Sequence, residues 1–288
     1  MKKATIFLLG LIITACSPRL LPIPGGAVPY DLLSGKALDA RKAAGADGIF
    51  ASWHDGGQSV SIVRYDPRRM RTDIVSAPGN AADSVSALCV RNGALAGING
   101  SYFDMRAMTP MTFVKDEGIV VGETSPSEQF RTNGIVALSG KKTGVDQADS
   151  TVVHDAWREV MAGGPILIDG GRTLDYAEGI PQPDSFFERR HPRSVVGLDG
   201  SGYVWLVVVD GRMPGEAEGM TISELTSFCL QLGLTDALNL DGGGSSTLWT
   251  KSAGVINHPC DNRRFDHEGQ RRVPNALIVH RDYGNILK

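Results

Sequence analysis

The segment from Asn239 to Ser246 carries the strongest chemical signal in the sequence. It reads Asn-Leu-Asp-Gly-Gly-Gly-Ser-Ser. Successive side chains of a strand point to opposite faces, so Asn239 and Asp241 share one face. Glycines allow a ligand to approach the backbone closely and turn amides toward an anion. A tight strand exit with a polar cap is the structural alternative. We expect a site with Asp241 as a catalytic carboxylate and with ligand contacts from Asn239, Gly242, Gly243, Gly244 and Ser245.

A second polar cluster follows Ile98 and reads Asn-Gly-Ser-Tyr-Phe-Asp. The short apolar run before it predicts a strand that ends at Asn99. Sites gather at strand ends, because the backbone turns there and side chains converge. Asn99 and Asp104 also suit turns, so the cluster is either part of a site or a structural turn.

A predicted hairpin over residues 194–209 brings Arg193 near Asp210, because the outer ends of a hairpin meet. A guanidinium beside a carboxylate is either a structural salt bridge or an anion clamp. Arg193 and Arg212 beside a glycine-rich loop suit a phosphate. His191, which precedes a proline, is either a proton carrier or a structural donor.

Two predicted helices lead into the polar clusters. Thr221 and Glu224 fit a capping box, and this helix stops at Gly233. Residues 84–92 form the other long helix. Each runs into a short apolar strand that ends at one of the two clusters. A shorter third helix is predicted over residues 155–161.

Strand-like runs dominate the rest of the chain, at 48–54, 58–65, 72–76, 111–121 and 133–138. The run Val204–Val209 is apolar on both faces and must be covered on both sides. We find no internal repeat and no linker after residue 48. These patterns predict one α/β domain of mixed, α+β-like character, in which twisted mixed β-sheets and flanking helices form a cleft at strand ends.

The N-terminus has the features of a secretory signal. A basic start precedes an apolar run that is too short to span a bilayer as a stable helix, and small residues follow it. Ile-Thr-Ala-Cys at 13–16 resembles the bacterial lipobox, which is cut before a cysteine that then receives lipid. Ser17, in place of Asp, favours the outer membrane of a bacterial cell envelope. We therefore predict a signal peptide at 1–15, a tether and domain edge at 16–47 attached to the membrane through lipidated Cys16, and the domain at 48–288.

Composition and charge exclude several classes of protein. The 288 residues are 42% hydrophobic and 21% charged, which is ordinary globular usage. The formal net charge is −3, and it becomes −5 once Lys2 and Lys3 leave with the signal. Nucleic-acid binding is therefore not expected, since it needs a basic surface. Cys89, Cys229 and Cys260 are expected to be buried free thiols.

The polar motifs together resemble the phosphodiester glycosidase family. The resemblance covers about residues 93–280 and depends on several motifs in a fixed order. These are Asn99-Gly100-Ser101-Tyr102-Phe103, Gly163-Gly164-Pro165, His191-Pro192-Arg193-Ser194, Asp210-Gly211-Arg212, Gly219-Met220-Thr221 with Glu224, Asn239 to Ser246, and Arg272 before Asn275-Ala276-Leu277.

The resemblance implies hydrolysis of a sugar 1-phosphodiester at the sugar side. It implies Asp241, Asp210 and Glu224 as catalytic candidates, although Glu224 also fits a purely structural cap. The implied substrate contacts are Asn99, Gly100, Tyr102, His191, Arg193, Arg212, Asn239, Gly242, Gly243, Gly244, Ser245 and Arg272.

Cleavage of a sugar C1–O bond usually takes two carboxyl groups. A phosphodiester is a weak base that needs little protonation, so charge stabilisation by Arg193 and the glycine amides leaves one carboxylate, Asp241 or Asp210, to act at C1. No cofactor is expected under this mechanism. The expected partner is a phosphorylated carbohydrate of a glycan or cell-envelope polymer.

Two alternatives remain open at the level of sequence. A metal-dependent phosphodiesterase would cut P–O with Mg²⁺ or Ca²⁺ held by Asp210, Asn239 and Asp241, which are hard oxygen ligands. A non-catalytic glycan-binding lipoprotein would keep the cleft but lose one of the polar clusters, whereas every cluster is present here.

Overall fold

The computed structural model of the chain describes residues 41–42, 48–55, 57–140, 142–147, 157–174 and 184–281. The predicted signal peptide, the lipid-attachment residue Cys16 and most of the predicted tether lie outside these residues. Within the described ranges, no helix is both long enough and apolar enough to cross a membrane.

Strands make up most of the regular structure, and twenty of them lie in the described ranges. In chain order they are β1 Arg41–Lys42, β2 Gly48–Asp55, β3 Gln58–Tyr65, β4 Met70–Ser76, β5 Ala96–Asn99, β6 Phe103–Asp104, β7 Thr109–Pro110, β8 Val114–Asp116, β9 Ile119–Gly122, β10 Gly134–Ser139, β11 Lys142–Gln147, β12 Glu159–Gly163, β13 Ile166–Asp169, β14 Arg172–Thr173, β15 Arg193–Asp199, β16 Val204–Val209, β17 Leu234–Asn239, β18 Leu248–Thr250, β19 Gly254–Val255 and β20 Asn275–Arg281. The α-helices are α1 Val85–Arg91, α2 Asp184–Phe187 and α3 Ile222–Gln231.

The strands form three main sheets and one short ribbon. The large sheet has the order β1-β2-β3-β16-β15-β17-β13-β14, and two five-stranded sheets have the orders β11-β10-β12-β8-β9 and β19-β18-β5-β20-β4. Strands β6 and β7 form the ribbon. Every pairing between these described strands is antiparallel.

The predicted fold class is therefore only partly right. The protein is mostly β-sheet and richer in sheet than the α/β class, and its described sheets are antiparallel rather than mixed. Parallel pairing needs long crossover connections, usually helical. Helix α1 connects β4 to β5, and helix α3 connects β16 to β17. In each case another strand, β20 or β15, lies between the two connected strands and pairs antiparallel with both.

Strand β16 separates the two larger cores, as its apolar sequence predicted. Trp205, Val207 and Val209 pack on the side of α3, together with Leu225 and Phe228 of that helix. Val204, Leu206 and Val208 pack on the opposite side, against residues of the two five-stranded sheets. A strand in the middle of a large sheet is thus covered on both faces.

Both long predicted helices are confirmed, with their caps. Ser84 caps α1 by accepting a hydrogen bond from the Ala87 amide, and Thr221 and Glu224 form the capping box of α3. The third predicted helix is wrong, because Glu159–Gly163 is strand β12; residues 155 and 156 lie outside the described residues. All five residues of β12 are buried, and such a short apolar run has no periodicity that separates strand from helix.

The described cysteines match their prediction. Cys89, Cys229 and Cys260 are free and buried. Cys89 and Cys229 lie on the inner faces of α1 and α3.

Two carboxylates connect the five-stranded sheets across an edge strand. Strand β4 lies at the edge of its sheet, so every second backbone amide faces away from its only partner, β20. Glu159 of β12 accepts the Ile74 amide at 2.5 Å, and Asp116 of β8 accepts the Ser76 amide at 3.1 Å. Glu159 and Asp116 border a cavity of about 610 Å³, and none of the predicted site residues line it. These contacts satisfy donors that an edge strand leaves free.

Glu159→Gln should stabilise the protein in a pH-dependent way. Burial raises the pKa of Glu159 to about 7, although the Ile74 amide acts in the opposite direction. A carboxyl whose pKa is higher in the folded than in the unfolded chain lowers the free energy of unfolding as the pH rises from the unfolded value to the folded value. Gln keeps the acceptor oxygen without the charge. The free energy of unfolding should therefore rise by about 1–3 kcal/mol at pH 8, and by much less at pH 5.

Urea unfolding at the two pH values measures this effect. Glu117→Gln, at an exposed turn residue of the same sheet, is the control and should show no such pH dependence. An equal gain for Glu159→Gln at pH 5 and pH 8 would contradict the explanation.

Candidate active site

A cleft of about 350 Å³ lies where the ends of strands from different sheets meet. Tyr102 follows β5, Arg193 begins β15, Arg212 follows β16, and residues 241–244 follow β17. All of them line the cleft, as do His191 and Pro192. The structure thus brings together residues from four of the motifs that the sequence singled out.

Asp241 is the one carboxylate among the described residues of the cleft wall. Its Oδ1 accepts the Gly242 amide at 2.9 Å, and its own amide donates to the Gly100 carbonyl at 3.2 Å. Burial raises the pKa of Asp241 to about 6, while the Ser245 hydroxyl and the charges of Arg131 and Arg271 partly offset that rise. Asp241 is therefore a carboxyl that changes charge close to neutral pH.

A buried chain of hydrogen bonds, hereafter the buried polar network, holds the backbone at Asp241. Asn99 Nδ2 donates to the Asp241 carbonyl at 2.7 Å, and Asn99 Oδ1 accepts the Ser194 hydroxyl at 2.8 Å. Ser194 Oγ is hydrogen-bonded to Ser246 Oγ at 3.1 Å. Asn257 Nδ2 then joins the Ser246 carbonyl, at 3.1 Å, to Asp210 Oδ1, at 2.9 Å.

Asp210 is the far end of this network and does not line the described cleft. Its carboxylate is 1% exposed, and it accepts hydrogen bonds from Ser59 Oγ at 2.6 Å and from the His258 amide at 2.9 Å. Its Oδ2 also lies 3.1 Å from His258 Nδ1. These contacts suit a structural hub better than a group that acts on substrate.

The expected pairing of Arg193 with Asp210 is wrong. Arg193 lies opposite Val209 in the hairpin, and its guanidinium donates to the carbonyls of Met220, Phe186 and Arg189 instead. Arg193 is 2% exposed, and burial lowers its pKa to about 10, so it stays cationic at neutral pH.

Glu224 lies outside the cleft wall and serves helix α3. Its Oε2 accepts the Thr221 amide at 3.0 Å, and its carboxylate pairs with Arg190. A structural role as helix cap and ion-pair partner therefore accounts for both contacts of Glu224.

His191 holds Arg212 at the cleft. Its Nε2 lies 2.9 Å from the Ser185 carbonyl, and its Nδ1 lies 3.4 Å from Arg212 Nη2. A carbonyl can only accept and a guanidinium can only donate, so these contacts fit a neutral ring with its proton on Nε2. Burial and the neighbouring arginines lower the pKa of His191. This geometry favours a positioning role over proton transfer.

The three glycines after Asp241 act differently from an open amide nest. The Gly242 amide is used by Asp241 itself, and the Gly243 amide donates to the Pro192 carbonyl at 2.9 Å. A Cβ at Gly243 would lie 2.9 Å from the Arg212 guanidinium, and one at Gly244 would lie 2.3 Å from Arg271 Nη2. The glycines thus make room for two arginines above the loop.

The remaining predicted contacts are mostly internal. Tyr102 donates to the Gly164 carbonyl at 2.7 Å and accepts Asn239 Nδ2 at 2.9 Å. Asn239 and Ser245 are buried, and neither is among the cleft-lining residues. Gly100 permits close packing, because a Cβ there would lie 2.0 Å from Asn275 Oδ1.

Two cleft arginines were not identified from the sequence. Arg131 faces the Tyr102 ring at 4.1 Å and pairs with Glu128, and Arg271 pairs with Asp261 at 2.6 Å. Both line the cleft, whereas the predicted Arg272 is exposed and does not. Glu-x-x-Arg spacing is typical of surface ion pairs, so the sequence around Arg131 did not indicate that this residue lines a cleft. The choice between Arg271 and Arg272 depends on side-chain direction.

The described residues do not assemble the donor set of the metal alternative. None of their His, Cys, Asp and Glu side chains form a group of three that could hold a metal ion. Both oxygens of Asp210 already accept hydrogen bonds from protein donors. Independence from a cofactor stays a prediction.

Comparison with known proteins supplies a family and a fold. The family model described as phosphodiester glycosidase matches residues 92–280. N-acetylglucosamine-1-phosphodiester alpha-N-acetylglucosaminidase of Bos taurus is 34% identical over 89 residues, which are 31% of this chain and 16% of the bovine protein. The Mus musculus protein of the same name is 32% identical over 89 residues, or 31% and 17% of the two chains. The aligned segment is thus less than a fifth of either relative.

Two solved structures share the fold. The zebrafish N-acetylglucosamine-1-phosphodiester alpha-N-acetylglucosaminidase catalytic domain, auto-inhibited by its pro-peptide, matches with a TM-score of 0.64 and 18% identity over 85% of this chain and 88% of that one. A hypothetical protein from Synechocystis matches with a TM-score of 0.57 and 18% identity, over 82% and 62% of the chains.

Asp210→Ala should destabilise the protein strongly. The substitution removes the common acceptor of Ser59, Asn257 and His258, and buried donors left without a partner cost free energy. We expect the free energy of unfolding to fall by about 2–5 kcal/mol, as measured by urea denaturation. Glu224→Gln keeps an acceptor for the α3 cap and should cost less than about 1 kcal/mol. Similar losses from the two variants would contradict the hub role of Asp210.

Proposed function

Because the chain belongs to the phosphodiester glycosidase family, we propose that it hydrolyses the C1–O bond of a sugar 1-phosphodiester. One observation carries the proposal: four arginines, Arg131, Arg193, Arg212 and Arg271, line the same cleft as Asp241, which is the one carboxylate among the described residues of the cleft wall. Such a wall suits a ligand that joins an anionic phosphate to a carbon that a carboxylate can approach.

The arginines supply the charge stabilisation that this reaction needs. When the C1–O bond breaks, its electron pair stays on the phosphate oxygen, so the phosphate gains negative charge. Fixed cations that face developing charge stabilise the transition state. A phosphate leaving group is a weak base, so the reaction does not need a second carboxyl group to protonate it. This accounts for a cleft wall whose described residues include one carboxylate, while Asp210 and Glu224 lie outside it and have other partners.

Asp241 is the group proposed to act at C1. As a carboxylate, it either takes a proton from the attacking water or attacks C1 itself before water releases the sugar. In both cases a water oxygen ends on C1, the phosphate leaves as a phosphomonoester, and one proton is released. The buried polar network fixes the backbone that presents this carboxylate.

The substrate is proposed to be a phosphorylated carbohydrate of a glycan or cell-envelope polymer. This rests on the cationic cleft together with the signal and lipobox patterns at residues 1–16, which suggest a lipid anchor at Cys16 in the bacterial outer membrane.

Cys16→Ser should release the protein from the membrane fraction. A variant that stays membrane-bound with unchanged mass would contradict the anchor.

Hydrolysis in water enriched in ¹⁸O tests the bond that is cleaved. With a sugar 1-phosphodiester as substrate, we expect the label in the released sugar, as read by mass spectrometry of both products. Label in the phosphate would instead mean P–O cleavage. The absence of both products, with the ligand still bound, would mean a binding protein.

Asp241→Asn should remove most of the activity while the protein stays folded. Asn keeps the size of the side chain and an acceptor for the Gly242 amide, but it can neither attack C1 nor take a proton. Loss of a positioned acid or base typically costs about 10²–10⁴-fold in rate. Asp236→Asn, on strand β17 but outside the cleft wall, is the matched control and should stay within about twofold. Near-native rates for Asp241→Asn would assign the chemistry to another group.

The activity should also depend on pH in one direction. If Asp241 works in its ionised form, kcat/KM should fall about tenfold for each pH unit below about 6, the value to which burial raises its pKa. A rate that rises as the pH falls through 6 would show that the protonated form is the active one.

A further inference from the structure

The four cleft arginines differ in how their charges are balanced. Arg131 pairs with Glu128, and Arg271 pairs with Asp261. Within the described ranges, no carboxylate forms an ion pair with Arg193 or Arg212, whose side-chain partners are backbone carbonyls and His191. The cleft therefore holds two uncompensated positive charges and one negative charge, that of Asp241.

The geometry fixes one of these cations before any ligand binds and restricts the position of the other. Three carbonyls fix the guanidinium of the buried Arg193. Arg212 lies against the Cβ-free surface of Gly243, and its backbone adopts a left-handed conformation with φ of 61°. Ordered cations lose little conformational entropy on binding a ligand. Arg193 is thus preorganised for an anion, whereas Arg212 is exposed and is confined by His191 and Gly243.

The phosphate group of the proposed substrate differs in charge from that of the product. A phosphodiester carries one negative charge, whereas a phosphomonoester carries about two at neutral pH, since its second pKa is near 6. A site with a net positive charge attracts the second form more strongly. The ionised carboxylate of Asp241 opposes both ligands, and it opposes the dianion more.

We infer that the cleft is a selective site for phosphate dianions, that Arg212 determines this selectivity, and that the charge of Asp241 weakens the binding. The inference rests on the proposed function only for the identity of the product. Inorganic phosphate and phosphomonoesters should then compete with the substrate. The charge of Asp241 would serve turnover twice, since it acts at C1 and limits how long the dianionic product stays bound.

Isothermal titration calorimetry at pH 8 tests the inference with inorganic phosphate as the dianion and dimethyl phosphate as the monoanion. We expect the unmodified protein to bind phosphate at least about tenfold more tightly than dimethyl phosphate. Arg212→Gln should weaken phosphate binding by about 10- to 100-fold and reduce the preference for the dianion. The matched control Arg272→Gln, at the exposed neighbour of a cleft arginine, should leave both affinities unchanged.

Asp241→Asn supplies a readout that a merely structural role would not move. It should remove most of the turnover and yet tighten phosphate binding by about tenfold, because it removes a negative charge from the cleft that holds the dianion. Melting curves of all variants confirm that they are folded. Equal affinity for the two ligands, equal effects of Arg212→Gln and Arg272→Gln, or weaker phosphate binding by Asp241→Asn would overturn the inference.

The two proposals fail in different ways. Dianion selectivity without hydrolysis of any sugar phosphodiester would support the inference and contradict the proposed function. Hydrolysis without dianion selectivity would contradict the inference alone.

Discussion

The buried polar network is the constraint on which the rest of the site depends. It runs from the Asp241 carbonyl through Asn99, Ser194, Ser246 and Asn257 to the carboxylate of Asp210. Its side chains are almost fully buried, so each donor and acceptor must find its partner inside the protein. Because Asn99 and Ser194 belong to strands of different sheets, satisfying the network fixes how those strand ends meet. The position of Asp241 follows from that requirement.

The second constraint is electrostatic and acts on the cleft wall. Like charges repel, so several arginines converge on one small cleft only where other groups hold them. Arg131 and Arg271 have carboxylate partners, Arg193 has carbonyl partners, and Arg212 rests on His191 and Gly243. The glycine loop contributes space, and the amides of Gly242 and Gly243 are already bonded within the protein. The outcome is a preorganised positive potential around a carboxylate whose own burial is costly.

The architecture explains why such a site forms in a protein that is mostly antiparallel sheet. Strands β5 and β17 belong to different sheets, yet the Asp241 amide donates to the Gly100 carbonyl and Asn99 donates back to Asp241. Strand β16 has apolar side chains on both faces, and each face packs into one of the two larger cores. A cleft at the junction of sheets is therefore built from rigid strand ends, which suits a site that must hold charges in fixed places.

The sequence by itself determined the local elements and the positions where polar groups leave them. Capping signals located α1 and α3, the apolar run of β16 required cover on both faces, and the Asn-x-Asp-Gly-Gly-Gly pattern located the catalytic candidate. These features depend on neighbouring residues, whose periodicity and turn chemistry are visible in the chain. Only the tertiary structure decided which polar residues face the cleft. Asp210 and Asn99 turned inward to the buried polar network, Glu224 turned to a helix cap, and Arg131 and Arg271 entered the cleft in place of Arg272. Side-chain direction at a site depends on partners that are distant in sequence, and no local pattern records them.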